Sequence, residues 1–189
     1  MRSVIVWRFA FFGLLALYPF VVYFGLRVLP PSFFGILLAI VVAARFAVLK
    51  RSDRTLALPI LVLLLIYAIV AAFLGRAEAL LYYPVLVNLL LCTIFVGSLG
   101  RGEPLLLRIV RARGIPISKH GPRYLTNLTA AWAAFFMVNG LVALWTTTLS
   151  METWTLYNGL ISYLLVGLFL SVEWLFRRHY KRKLGVSNP

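Results

Sequence analysis

The stretch YLTNLTAAWAAFFMVNGLVALWT, from Tyr124 to Thr146, contains no charged side chain. A helix needs roughly 20 mostly apolar residues to cross the hydrocarbon core of a bilayer, and this stretch is long enough to do so. The rest of the chain has the same character, because 62% of the 189 residues are hydrophobic, 13% are charged and the mean hydropathy is +0.95. Soluble domains are much less apolar. The composition therefore predicts an all-α integral membrane protein.

Apolar runs of similar length occur elsewhere in the chain, and they predict a polytopic protein with six transmembrane helices. Pro19 interrupts the first run and Arg45 enters the second near its end. A proline is tolerated in a membrane helix when neighbouring groups satisfy the freed carbonyl. A five-helix alternative stays open, in which the first run is re-entrant or interfacial. The six runs are Phe9–Leu26, Ser32–Leu49, Leu56–Leu74, Ala79–Leu99, Tyr124–Thr146 and Thr155–Phe176.

The number of basic residues alternates from one connection to the next, and this alternation predicts the topology. Of the 19 Lys and Arg residues, 17 fall in the N-terminal stub, the second and fourth connections and the tail, and 2 fall in the other three connections. Cytoplasmic loops carry an excess of Lys and Arg. We therefore expect residues 1–189 to form a single integral membrane domain, with both termini in the cytoplasm and a basic cytoplasmic tail over residues 177–189.

The fourth connection contains a short basic segment, PLLLRIVRARGIP, from Pro104 to Pro116. Proline suits the first turn of a helix, and Arg108 and Arg111, three residues apart, share a helix face. We expect a short amphipathic helix in the plane of the cytoplasmic membrane face, with Arg108, Arg111 and Arg113 contacting anionic lipid headgroups or an acidic partner. The plainer alternative is that these charges only orient the chain during insertion.

Polar side chains within the predicted spans are the next candidates for a function. Asn88 and Asn139 lie deep in their spans and Asn158 lies in the last one, and each amide must find a hydrogen-bond partner in hydrocarbon. Contacts between helices are the simpler explanation, and a polar pathway through a transporter is the alternative. Glu173 is the carboxylate nearest a span interior, and we expect it to form an i,i+4 ion pair with Arg177.

Residues that could carry catalysis are few. The chain has five acidic residues, two histidines and one cysteine, and its sequence contains no metal-binding His/Glu pair at helical spacing, no Gly-rich phosphate loop and no Gly-x-Ser-x-Gly motif. We therefore expect no enzyme activity, no catalytic residue, no bound metal and no cofactor. Nucleic-acid binding is disfavoured, because the basic residues are spread along one membrane face and the aromatic residues lie in the spans.

The segment from Pro104 onward contains a spaced set of residues: Pro104, Leu105 and Arg108, then Ala131-Trp132-Ala133, Phe135-Phe136 and Gly140, and then Trp154. In these residues the chain resembles the intracellular septation protein A family of small bacterial inner-membrane proteins. Three positions depart from the family pattern, because Thr129 and Ala143 replace expected asparagines and Asn158 replaces an expected lysine. The chain therefore looks like a divergent relative.

This resemblance implies a function in envelope synthesis and septum formation, exerted by contacting other membrane proteins. It makes Trp132 a candidate for structural or partner packing, and the five spans usually drawn for the family support the five-helix alternative. We therefore expect a non-enzymatic factor of the bacterial inner membrane whose partners are membrane lipids, including anionic ones, and envelope-synthesis or division proteins. A small transporter or lipid-handling protein is the alternative. Trp154, beside the uncharged fifth connection, is expected to anchor the chain at the periplasmic interface.

Overall fold

The secondary structure is entirely helical in the computed structural model, which describes residues 17–47, 54–100, 102–118 and 120–183. This confirms the predicted all-α class. The elements are α1 (residues 17–25), α2 (Pro31–Ala47), α3 (Arg54–Leu74), α4 (Ala77–Leu81), α5 (Tyr83–Gly100), α6 (Leu105–Ala112), α7 (Gly121–Thr146), α8 (Met151–Leu156), a π-helical segment (Tyr157–Ile161) and α9 (Ser162–Lys183).

Three helices are long and apolar enough to cross a membrane, and they correspond to the last three predicted spans. They are Ala77–Gly100, which joins α4 to α5, Gly121–Thr146, which is α7, and Met151–Arg178, which runs from α8 through the π-helical segment into α9. Shorter apolar helices, Pro31–Ala44 and Val62–Leu74, lie at the second and third predicted spans. The six-span count stays a prediction, and residues 9–16 of the first predicted run and residues 48–53, which include most of the second connection, lie outside the described residues.

Close packing occurs within two helix pairs, α2 with α3 and α5 with α7. A Cβ atom on Gly35 would lie 2.5 Å from the backbone nitrogen of Ala72, and a Cβ atom on Gly140 would lie 3.0 Å from the Cβ atom of Asn88. Lipid tails are as apolar as leucine, so membrane helices associate through close packing and hydrogen bonds, which small residues permit. The two glycines therefore set the distance between the helices of each pair.

The buried core lies where α1, α2, α3, α4 and α8 meet. Trp154 is fully buried there, and its indole N–H donates a hydrogen bond to the Leu81 carbonyl at 3.1 Å. The expectation that Trp154 anchors the chain at a membrane interface is therefore wrong, because its ring fills the space between α8 and α4. The buried hydrophobic residues of this core are Tyr18, Val22, Phe34, Leu38, Val42, Leu64, Ala68, Ala71, Leu80, Tyr83 and Trp154.

A break between α4 and α5 interrupts the Ala77–Gly100 helix at Tyr82. Pro84 has no N–H, so it cannot donate to the carbonyl of Leu80, which lies four residues before it. Side chains from three other helices supply donors instead, and together they fasten α1, α3 and α8 to the break. The bonds are Tyr18 to the Leu80 carbonyl at 3.4 Å, Tyr67 to the Ala79 carbonyl, and Trp154 to the Leu81 carbonyl.

Side-chain contacts join helix ends at two places in the structure. The Tyr23 hydroxyl lies 3.5 Å from Glu152, which brings the end of α1 next to the start of α8. The Tyr124 hydroxyl donates to Glu173 at 2.8 Å, which brings the start of α7 next to the last turns of α9. We call residues 102–118, 120–124 and 173–183 the basic end. Which end faces the cytoplasm stays a prediction.

Candidate functional site

A cluster of polar side chains connects α5, α7 and the segment from α8 to α9. The amide nitrogen of Asn139 donates to the side-chain oxygen of Asn88 at 3.0 Å and to the Ser162 hydroxyl at 2.8 Å. The side-chain oxygen of Asn139 accepts from Tyr157 at 2.8 Å and from Ser162 at 3.2 Å. We call these four residues the polar cluster. Asn88 lies near the middle of the Ala77–Gly100 helix, so the cluster is expected at the depth of the hydrocarbon.

Asn139 uses all of its hydrogen-bonding capacity within the protein. An asparagine side chain offers two N–H donors and two acceptor lone pairs, and each of the four has a partner in the cluster. The remaining amide, that of Asn88, donates to the Pro84 carbonyl at 2.8 Å. The cluster therefore joins three segments of the chain by hydrogen bonds that hydrocarbon would otherwise leave unsatisfied.

Asn158 belongs to a separate contact next to the polar cluster. Its amide nitrogen donates to the Thr146 hydroxyl at 3.0 Å and to the Trp154 carbonyl at 2.9 Å. Asn158 and Tyr157 both lie on the π-helical segment, whose wider turn places the two side chains against α7. The structure thus joins two of the three predicted asparagines directly and places the third, Asn158, against Thr146 at the end of α7.

Sequence reasoning missed Tyr157, Ser162 and Thr146 as partners of the asparagines. Tyr157 directly precedes Asn158, and Ser162 follows Asn158 by four residues. The three polar residues therefore lie within little more than one helical turn. This spacing was the available signal. It did not indicate the π-helical segment, which changes the directions of these side chains relative to a regular helix.

Trp132 lies in an aromatic cluster that joins α7 to α9 and α5. Its ring centroid lies 4.4 Å from that of Phe169 on α9 and 5.4 Å from that of Phe136 on α7. Phe136 in turn lies 5.4 Å from Phe95 on α5. Trp132 is half-buried. Its ring therefore packs within the chain and keeps an accessible edge for a lipid or a partner.

The predicted amphipathic helix is present as α6, Leu105–Ala112. Leu105 and Leu107 are buried, and the backbone N–H of Leu105 donates to the Ser98 hydroxyl at 3.0 Å. Ser98 on α5 therefore satisfies one of the free N–H groups in the first turn of α6. The buried leucines and this hydrogen bond attach α6 to the membrane helices along its apolar face.

The arginines of α6 and its C-terminal cap are exposed. Arg111 forms an ion pair with Glu103, and Gly114, with a φ of +65°, turns the chain away directly after Arg113. Within residues 17–47, 54–100, 102–118 and 120–183, Arg108 and Arg113 make no ion pair. The three arginines that the sequence singled out are therefore all exposed at this end of the structure, and the charges of Arg108 and Arg113 are not neutralised by an ion pair within the described residues.

The basic end has a second arrangement of charges on α9. The predicted pair of Glu173 and Arg177 is confirmed, because the Arg177 Nε atom donates to Glu173 at 2.9 Å. Tyr124 adds a hydrogen bond to the same carboxylate, which the sequence did not predict. Arg178 lies 5.4 Å above the Trp174 ring, a cation–π contact that suits the membrane interface.

The polar cluster and the exposed face of α6 are thus the two features that could carry a function. The polar cluster joins helices, and α6 presents positive charge beside the membrane helices to which it is attached. Among the described residues, no group of three or more His, Cys, Asp or Glu side chains could hold a metal ion. The chain matches no family model, no curated protein and no solved structure.

Proposed function

We propose that this protein is a non-enzymatic factor of the bacterial inner membrane that acts in cell-envelope biogenesis or septation by contacting anionic lipids and other membrane proteins. The observation that carries the proposal is the exposed cationic face of α6, with Arg108 and Arg113 free of ion pairs in the described part of the chain. The resemblance of the segment from Pro104 to Trp154 to the septation family supports the role in the envelope.

The way α6 is held supports a docking role for its arginines. Leu105 and Leu107 are buried against the membrane helices, so the polar face of α6 has a fixed orientation. An anionic membrane surface attracts each nearby Lys or Arg with about 1 kcal/mol. Arg123 at the start of α7 is also exposed and adds a positive charge to the basic end. Such a surface suits phosphate groups of lipids or an acidic segment of a partner.

The proposal also covers the topology. In it, the chain crosses the inner membrane six times, both termini lie in the cytoplasm, and the basic end faces the anionic cytoplasmic leaflet. The grouping of the connections by the Tyr23–Glu152 and Tyr124–Glu173 contacts supports this arrangement. The positive-inside rule supplies the direction, because 9 of the 19 Lys and Arg residues lie in the basic end, whereas the first, third and fifth connections together hold 2.

In-cell photocrosslinking of the full chain tests the proposal. A photoreactive residue replaces Arg111 in one variant and Trp132 in another, and a third variant carries it at Val138, an exposed apolar position on α7. We expect protein adducts with envelope-synthesis or division proteins from positions 111 and 132, and only lipid adducts from position 138. Adducts restricted to lipid or to a small metabolite at all three positions would contradict the assembly role.

The polar cluster favours one second candidate, a small transporter or lipid-handling protein. It lies beside a π-helical segment, and such segments often occur at functional sites. A transporter with this cluster on its pathway would lose activity in Asn139→Leu while the contacts of α6 with partners persisted. An assembly factor would keep its partners in the same variant and lose them when Arg108 and Arg113 are both replaced by glutamine.

A further inference from the structure

An open groove of about 640 Å³ lies between the end of α3 and the start of the Ala77–Gly100 helix. Its volume is within the range of sites that bind small molecules. Val70, Ala71 and Leu74 form an apolar wall. Val70 and Leu74 are exposed, so in a membrane this wall would meet acyl chains. The groove therefore offers an apolar surface to an acyl chain from the bilayer.

Two opposite charges line the same groove at its polar side. Arg76 and Glu78 are both exposed and lie two residues apart, next to the turn at Gly75, where φ is +57°. Across the described ranges of the chain, neither side chain takes part in an ion pair. A guanidinium group binds phosphate through paired hydrogen bonds, and a carboxylate binds a primary ammonium group. The groove thus combines an apolar wall with a separate cationic and anionic group.

We propose that this groove binds a phospholipid with a primary amine headgroup, of the phosphatidylethanolamine class. Arg76 binds the phosphate, Glu78 binds the ammonium group, and part of one acyl chain lies along Val70, Ala71 and Leu74. Tyr82, which also lines the groove and is 46% exposed, lies at the level where interfacial tyrosines meet headgroups. Charge complementarity selects this class, because Glu78 repels a headgroup that carries only negative charge and a quaternary ammonium has no N–H to donate.

The groove is held in shape by a contact between its two walls. The Tyr67 hydroxyl on α3 donates to the Ala79 carbonyl on α4, and both residues line the groove. A preformed site needs little reordering when a lipid enters, which favours affinity.

This site is independent of the proposed function, because it lies at the other end of the Ala77–Gly100 helix from α6. Arg76 directly precedes that helix, whereas α6 follows its last residue. The groove and the arginines of α6 would therefore contact opposite leaflets. A variant at one end should leave lipid binding at the other end unchanged.

Native mass spectrometry of the purified full-length protein tests the proposal. The detergent-solubilised protein is titrated separately with phosphatidylethanolamine, phosphatidylcholine and phosphatidylglycerol, and the fraction of protein that retains lipid is measured. We expect Glu78→Gln to weaken binding of phosphatidylethanolamine about tenfold, the effect of one lost charge-assisted hydrogen bond, and to leave phosphatidylcholine unchanged. Arg76→Gln should weaken the binding of both, because both headgroups carry the phosphate.

Arg113→Gln at the basic end is the matched control. It should lower retention of phosphatidylglycerol and leave retention of phosphatidylethanolamine unchanged. The experiment therefore distinguishes an error in the groove proposal from an error in the proposal for the arginines of α6. Equal retention of phosphatidylethanolamine and phosphatidylcholine by the unmodified protein would overturn the proposal. So would unchanged retention of phosphatidylethanolamine in Glu78→Gln. Circular dichroism of each variant establishes that its helices are formed.

Discussion

The side-chain amide of Asn139 on α7 donates a hydrogen bond to the side-chain oxygen of Asn88 on α5 at 3.0 Å. The pair meets beside Gly140, where a Cβ atom would lie 3.0 Å from the Cβ atom of Asn88. A hydrogen bond and a glycine, which has no side chain, thus lie at the same point of the contact between α5 and α7. The polar group specifies which faces of the two helices meet, and the glycine lets them approach.

Replacing Asn139 by leucine should lower the free energy of unfolding by about 2 kcal/mol, because four hydrogen bonds are lost and each one between membrane helices contributes about 0.6 kcal/mol. The expected loss follows from the bonds to Asn88, Ser162 and Tyr157 that disappear together. Unfolding in mixed micelles, followed by circular dichroism, measures it. Asn127→Leu is the control, because Asn127 is exposed on the same helix. An equal effect of the two substitutions would contradict the structural role of the polar cluster.

Adding a methyl group at Gly140 should also destabilise the contact between α5 and α7. The Cβ atom of Gly140→Ala would press on Asn88, and overpacking of this kind costs about 1–3 kcal/mol. Gly97→Ala on α5 serves as the control, because a Cβ atom there has no atom within 4 Å. Thermal unfolding of both variants in the same detergent makes the comparison. If the two alanine variants melt at the same temperature, the helices are not as close as described.

Trp154→Phe should lower stability by about 1–3 kcal/mol, because it removes the hydrogen bond to the Leu81 carbonyl and leaves a small cavity in the core. Trp145→Phe provides the control, because Trp145 is 63% exposed on α7. The midpoint of denaturant unfolding, monitored by circular dichroism, distinguishes the two variants. A larger effect at position 145 than at position 154 would restore the interpretation of Trp154 as an interface anchor.

Replacing Arg108 and Arg113 together by glutamine should weaken binding of an anionic lipid about 30-fold, since each arginine contributes about 1 kcal/mol near an anionic surface. Anisotropy of a fluorescent phosphatidylglycerol analogue, titrated with the detergent-solubilised protein, measures this affinity. The unmodified protein should lose much of the same affinity at high salt, because these charges are exposed. Arg27→Gln, at the opposite end of the structure, should have little effect. A double variant that binds as tightly as the unmodified protein would count against the proposed surface.

Local signals in the sequence were sufficient to predict α6 and the ion pair of Glu173 with Arg177. Pro104 and Gly114 mark the ends of α6, and the i,i+4 spacing alone indicates the ion pair. The long apolar runs likewise predicted α7 and α9. These features depend on residues close together in the chain, so sequence patterns report them directly.

The packing of the helices could not be predicted in the same way. In a membrane, the side of a helix that faces lipid and the side that faces another helix are both apolar, so periodicity does not show which residues are buried. Trp154 was therefore assigned to an interface although it is fully buried. The partners of Asn139 also depend on how α7 and α9 are rotated, and the π-helical segment alters that rotation locally.

The break at Tyr82 makes completion of the fold depend on α8, which lies far from the break in the sequence. Tyr18 and Tyr67, which precede the break in the sequence, donate hydrogen bonds to two carbonyls beside it. The third donor is Trp154, which lies 73 residues after its acceptor, Leu81. A nascent chain that ends before α8 leaves the Leu81 carbonyl without its indole donor. The break is therefore fully stabilised only once α8 is in place, so α8 completes an arrangement that the earlier helices begin.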